Sequence, residues 1–149
     1  MANALYENFI NNLQGSGTHT YNALSANAAV RVFLREEGTS GAPNTTTDID
    51  AADVSGGAIE SDGALTSVVA GSAGPAYGSF DHAIVTWSAV AGTVSYESLD
   101  YFDDTSASNA TAPLICNIDT DSGALLPVTS NGGDITFNPA AGGVFQQTV

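Results

Sequence analysis

From residue 82 onward the sequence is cut into short apolar runs by turn signals about every eight to twelve residues, and this spacing most limits the fold. "HAIVTWSAV" (82–90) reads as a strand and Ala91-Gly92 as the turn after it. "TVSYESLDYF" (93–102) returns, with Leu99 and Tyr101 on one face, and "DDTSASNAT" (103–111) is a polar loop. "PLICNID" (113–119) is a strand, "TDSG" a turn, and "ALLPV" (124–128) a short edge strand, because Pro127 cannot donate to a ladder. "SNGG" turns again before "DITFN" (134–138), and "GGVFQQTV" holds the last strand. Runs this short suit an all-β fold built from antiparallel strands. The spacing leaves a β-sandwich or a barrel open; the expectation carried forward is a jelly-roll-like antiparallel β-sandwich over residues 28–149, preceded by an N-terminal helix and arm over 1–27. No fixed-period repeat is visible.

Upstream the pattern is mixed. "AAVRVFLRE" (28–36) alternates cleanly, with Val30, Val32 and Leu34 on one face and Arg31, Phe33 and Arg35 on the other. It carries both cations of the chain, about 13 Å apart at strand spacing. Pairing with acids of the same sheet is the plain expectation for them; holding a subunit contact is the sharper one. Residues 3–14 place Leu5, Phe9 and Leu13 at helical spacing beside Tyr6 and Ile10, while Asn8, Asn11 and Asn12 are poor helix formers. Such a helix needs a surface to dock on. Residues 37–80 read as a long loop region, with two short strands in "AIESDGALTSVV" forming a hairpin about Asp62-Gly63, and "AGSAGPAYGSF" as small-residue loop.

Charge narrows the partners. Sixteen acids against two bases give a formal charge of −14 in 149 residues. That density repels phosphate, so neither nucleic acid nor an anionic membrane surface is an expected partner. A neutral, cationic or apolar contact is expected instead. The N-terminal "MANALYENFINNLQ" lacks a basic segment followed by an apolar run, so no signal peptide is expected there.

A search for chemistry finds no constellation. "DTDSGALLPVTS" has Asp119 and Asp121 at the first two ligand positions of a calcium loop, but Gly at position five and Ser at twelve. Turn formation explains these residues better, a weak surface Ca²⁺ site shared with Asp103 and Asp104 being the alternative. His19 and His82, the only histidines, have no partner at zinc-ligand spacing. Cys116, the single cysteine, lies in the alternation Leu114, Cys116, Ile118 and is expected in the core. No G-x-S-x-G and no lysine are present, and Trp87 sits in an apolar strand. The chain is therefore expected not to be an enzyme and to need no cofactor.

Three stretches carry a resemblance. The chain opens on "MANALY", Met1 to Tyr6, and continues through "VRVFL". It then holds a block from Glu97 to Asn138 containing "DTSASNATAPLI", "NID" and "LPVTSNGGDIT". In these it resembles the head decoration, or cement, proteins of tailed bacteriophages, closely over about residues 82–145 and thinly over 37–80. It departs from them after "MANALY", where relatives have a basic, glycine-containing helix and "ENFINNLQ" has one acid and no base, and at Asp103, where relatives often have Lys.

The resemblance implies a virion protein, made in the host cytoplasm, that binds the outer surface of the head. It implies a homotrimer bridging neighbouring copies of the major capsid protein against the pressure of packed DNA. On that reading Leu5, Tyr6 and Phe9 dock the arm, and Arg31 and Arg35 bridge subunits or meet acids on the shell. A head fibre or tail-associated host-surface adhesin is the alternative, disfavoured by the small aromatic count. A calcium-stabilised extracellular module is a third reading, disfavoured by the N-terminal sequence.

Overall fold

The structure is a computed structural model that describes residues 4–7, 9–10, 30–36, 44–62, 65, 69–74, 77–104, 108–119, 126–139 and 145–148, of which 69–74, 77–81 and 145–148 are described by their backbone. Every strand pair among them is antiparallel. The main sheet runs in the order β1 (Ala4–Leu5), β8 (Leu114–Ile118), β7 (Ser95–Asp103), β2 (Val30–Glu36), β3 (Ala58–Glu60), with β9 (Val128–Thr129) joining the far end of β7. β6 (Val85–Trp87) pairs with β10 (Ile135–Phe137), and β5 (Tyr77–Asp81) lies between β4 (Val69–Gly74) and β11 (Phe145–Thr148).

Register explains the burial of the main sheet. Val32 stands opposite Tyr101, and Tyr101 opposite Cys116; Leu34 opposite Leu99, and Leu99 opposite Ile118. These make one apolar face, all of it buried. On the other face Phe33, Asp100 and Asn117 align, and the rings of Phe33 and Phe102 stack at 4.6 Å. Such a ring pair adds about 1 kcal/mol to the area it buries. Both faces are covered, so β8 "LICNI" is buried at every position.

The β6–β10 ribbon shows the period-2 pattern of a half-buried sheet. Val85, Trp87, Ile135 and Phe137 are buried, while Thr86 and Thr136 point outward. It is tied to the main sheet by Trp87 Nε1, which donates to the Ile59 carbonyl at 3.0 Å. Loops 88–94 and 130–134 close its end. Val90 N donates to Gly133 O, Gly132 N to Val90 O, Thr93 N to Ser130 O and Ala89 N to Asp134 Oδ1. Gly132 supplies the left-handed conformation this turn requires, at φ 88°.

Several expectations are corrected. The loop region expected over 37–80 contains a helix at Ala51–Val54, β4 and most of β5, while the first of the two short strands expected in "AIESDGALTSVV" is present as β3. Among the described residues β3 pairs with β2 and β4 with β5, not with each other, and Gly63 of the expected hairpin turn lies outside them. Asp62 instead accepts the backbone N–H and hydroxyl of Ser88. The strand expected over 82–90 is confined to 85–87, because the chain turns at Ser88-Ala89 and Ala89 takes φ 49°. At the N-terminus Ala4–Leu5 is a strand on β8, and only Glu7, Phe9 and Ile10 are helical among the described residues of 3–14. Residues 4–5 are thus part of the main sheet, and 11–27 of the expected arm lie outside the described residues.

Candidate functional site

Among the described residues the strongest concentration of buried polar groups lies on the Phe33 face of the main sheet. Three strands deliver it. β2 supplies Arg35, β7 Asp100 and β8 Asn117, and the segment following β1 folds Tyr6 over them. Tyr6 Oη donates to Asp100 Oδ1 at 2.7 Å, and Asn117 Nδ2 donates to the same oxygen at 2.9 Å. Arg35 Nε lies 3.5 Å from Asp100 Oδ2. Asp100 and Asn117 are wholly buried, and Arg35 is 2% exposed.

Burial pushes the Asp100 carboxyl above its ordinary range; the bonds from Tyr6 and Asn117 and the charge of Arg35 pull it back. Burial, then the charge of Asp100, raises the Tyr6 hydroxyl far beyond any physiological titration. The same two causes raise Cys116. A thiol held protonated and out of water is a poor nucleophile.

A second polar contact ties the other face. His82 Nδ1 meets the Ala83 carbonyl at 2.5 Å and Nε2 meets the Tyr101 hydroxyl at 2.8 Å. A carbonyl only accepts, so Nδ1 carries a proton; in the neutral ring Nε2 then accepts from the Tyr101 hydroxyl. His82 is buried.

The residues expected to make contacts fall as follows. Leu5 packs, partly buried, against the core; Tyr6 and Phe9 are inside it. The surface on which this segment docks is its own sheet. Arg35 is interior, while Arg31 is half-buried at the rim, bonded to Glu60 at 2.5 Å and to Asp104 at 2.8 Å. Both arginines thus meet acids of their own sheet. Asp104 is held by Arg31 and Asp103 is buried; Asp121 lies outside the described residues. Among the described residues no group of three or more His, Cys, Asp or Glu could hold a metal ion. Among them too, no helix is long and apolar enough to cross a membrane.

Sequence reading missed Asp100 as a buried acid. Its signal was present: alternation in "LDYF" puts Leu99 and Tyr101 on one apolar face and Asp100 beside Phe102 on the other. An acid beside Tyr101 and Phe102 in a strand buried on both faces requires a partner. Arg35 stands diagonally across β2, opposite Ser98.

Set against family models, curated proteins and solved structures, the chain matches none.

Proposed function

We propose that this protein is a capsid decoration, or cement, protein that binds the outside of a tailed-phage head and stabilises the shell against the DNA within. The observation that carries the reading is where the described groups able to attract or transform a ligand are placed. Asp100, His82 and Cys116 are buried, Arg35 is buried beside Asp100, and Arg31 is held by Glu60 and Asp104. What the described surface offers is negative charge, small polar side chains and two exposed large apolar residues, Ile84 and Ile49. That is a surface for adhesion to a neutral, cationic or apolar partner. The resemblance through "MANALY" and the Glu97–Asn138 block names the partner: the major capsid protein.

The proposal includes a jelly-roll-like sandwich and a homotrimer set on the shell. The mechanism is mass action. A ligand that binds only the expanded lattice stabilises it by its binding free energy, and many copies multiply a modest affinity. The test is addition of the purified protein to expanded heads that lack it. Co-sedimentation that saturates, with a rise in the temperature at which the heads rupture, is expected. Protein that stays in the supernatant at every concentration overturns the proposal.

A further inference from the structure

The turn "SNGG" (130–133) holds the only Asn-Gly pair of the chain, and the loops that close the β6–β10 ribbon bond it on every side. Asn131 is exposed, and its Oδ1 accepts from Gly133 N at 3.0 Å. Gly132 follows it at φ 88°, and nothing lies within 4 Å of where a Cβ on it would stand. Gly132 N donates to Val90 O at 3.1 Å, and Val90 N donates to Gly133 O at 3.0 Å. Ser130 Oγ donates to Ala91 O at 2.6 Å and accepts from Val94 N at 3.0 Å, which fixes the loop that carries Val90.

These bonds act in opposite senses on one reaction. The carboxamide of an asparagine is open to attack by the peptide nitrogen that follows it, which closes a five-membered imide. A donor on Oδ1 favours the attack, because that oxygen gathers negative charge as the nitrogen adds. Glycine at the next position favours it too, since no Cβ obstructs the approach. The nitrogen must first give up its hydrogen, and here the Val90 carbonyl holds that hydrogen. The electrophile is primed and the nucleophile is withheld.

We propose that Asn131 is a site of self-modification, gated by the bond from Gly132 N to Val90 O. When the loops open, Gly132 N loses its proton to solvent and forms a bond to Asn131 Cγ. The bond from Cγ to Nδ2 breaks, and Nδ2 leaves with a proton as ammonia. Water then opens the imide at either carbonyl, giving aspartate or isoaspartate. Water is the sole co-reactant, and no electrons are exchanged. Either product adds a negative charge near Asp134, whose Oδ1 accepts from Ala89 N across the same loops. Isoaspartate also lengthens the main chain by a carbon, so the bonds to Val90 cannot re-form in register. Opening of the ribbon's end is thereby recorded irreversibly. The inference is independent of the capsid reading, because it involves this chain and water alone.

The full chain and a capped peptide of residues 128–135, which lacks Val90, are held in the same buffer at the same temperature. Conversion of Asn131 is followed by peptide mapping with mass spectrometry, isoaspartate being resolved by chromatography. Only the open fraction of the folded chain reacts, so its conversion is expected to be at least about tenfold slower than the peptide's. A smaller difference overturns the gate, and a peptide that does not convert overturns the site. Ser130→Ala gives a second reading, because it releases the loop that carries Val90. Hydrogen exchange at the Gly132 amide and conversion of Asn131 should then rise by the same factor. A rise in one without the other, or in neither, rejects the proposal.

Discussion

Arg31 and Arg35 lie on the same face of the same strand, four residues apart, and both meet carboxylates of the same sheet. Their surroundings differ. The Arg31 side chain is 31% exposed, and its partners Glu60 and Asp104 are 36% and 17% exposed. The Arg35 side chain is 3% exposed and Asp100 not at all. Water screens the first group and leaves it little net energy, whereas the second pair trades a large loss of hydration for a large attraction. In this acid-rich chain one cation quiets the rim of the sheet and the other makes an interior carboxylate tolerable.

The contrast is broken most forcefully at Arg35. Arg35→Met leaves Asp100 buried without its cation and is expected to cost about 3–5 kcal/mol at neutral pH. The loss should shrink on acidification, as Asp100 takes up a proton. Urea denaturation at a series of pH values measures both, and a loss under about 1 kcal/mol would put Arg35 in the same class as Arg31. Tyr6→Phe comes next. It removes a hydrogen bond to a buried carboxylate, worth about 1.5–3 kcal/mol, while preserving the ring's packing. Urea unfolding again gives the value, and an unchanged midpoint would mean that Tyr6 serves only as apolar cover.

These two residues also mark how far the sequence could be read. Alternation located β2, β7, β8 and β10 to within about two residues, because each carries large apolar side chains at period 2 on a buried face. β4 and the start of β5 escaped because "VAGSAG" and "YGSF" are mostly Ala, Gly and Ser, which give alternation nothing to register. Their pairing is a property of the sheet, not of either strand alone. β1 escaped for a related reason. Two residues form a strand only because the β8 edge accepts them, whereas helical spacing did identify the turn at Glu7–Ile10. Of the buried cluster, Arg35 was legible on its strand face and its pairing with a sheet acid was anticipated. That the partner is Asp100, and that Tyr6 arrives from the far end of the chain to cap it, depends on a strand order no local pattern encodes.

Asp100 sharpens the comparison through pH. Burial holds its carboxyl above the ordinary range, so the folded chain binds that proton more tightly than the unfolded chain does. Stability from this group therefore falls as pH rises from the ordinary carboxyl range through the raised one, and is regained on acidification through the same window. Asp62 acts in the opposite sense. The bonds from Ser88 hold it below the ordinary range, so its contribution is present above that range and lost as pH falls further. Asp100→Asn is expected to remove the first effect and keep the second. Unfolding free energies of the two proteins, compared between neutral pH and the carboxyl range, should diverge in favour of the native chain on acidification. A difference independent of pH would mean that Asp100 does not titrate in that window.

The smallest effect is expected at Arg31. Arg31→Gln removes the cation between Glu60 and Asp104 and leaves two carboxylates facing each other across the rim. Both retain contact with solvent, so the cost should stay below about 1 kcal/mol. Near about 1 M salt, where the screening length falls to about 3 Å, that cost should approach zero. The cost of Arg35→Met should hardly move over the same range, because salt does not reach a pair sealed between the sheet and Tyr6. Thermal melts of the two variants in low and high salt separate the cases. If Arg31→Gln were as costly as Arg35→Met, or as indifferent to salt, access of water would not be what distinguishes the two arginines, and the rim would have to be counted as part of the interior.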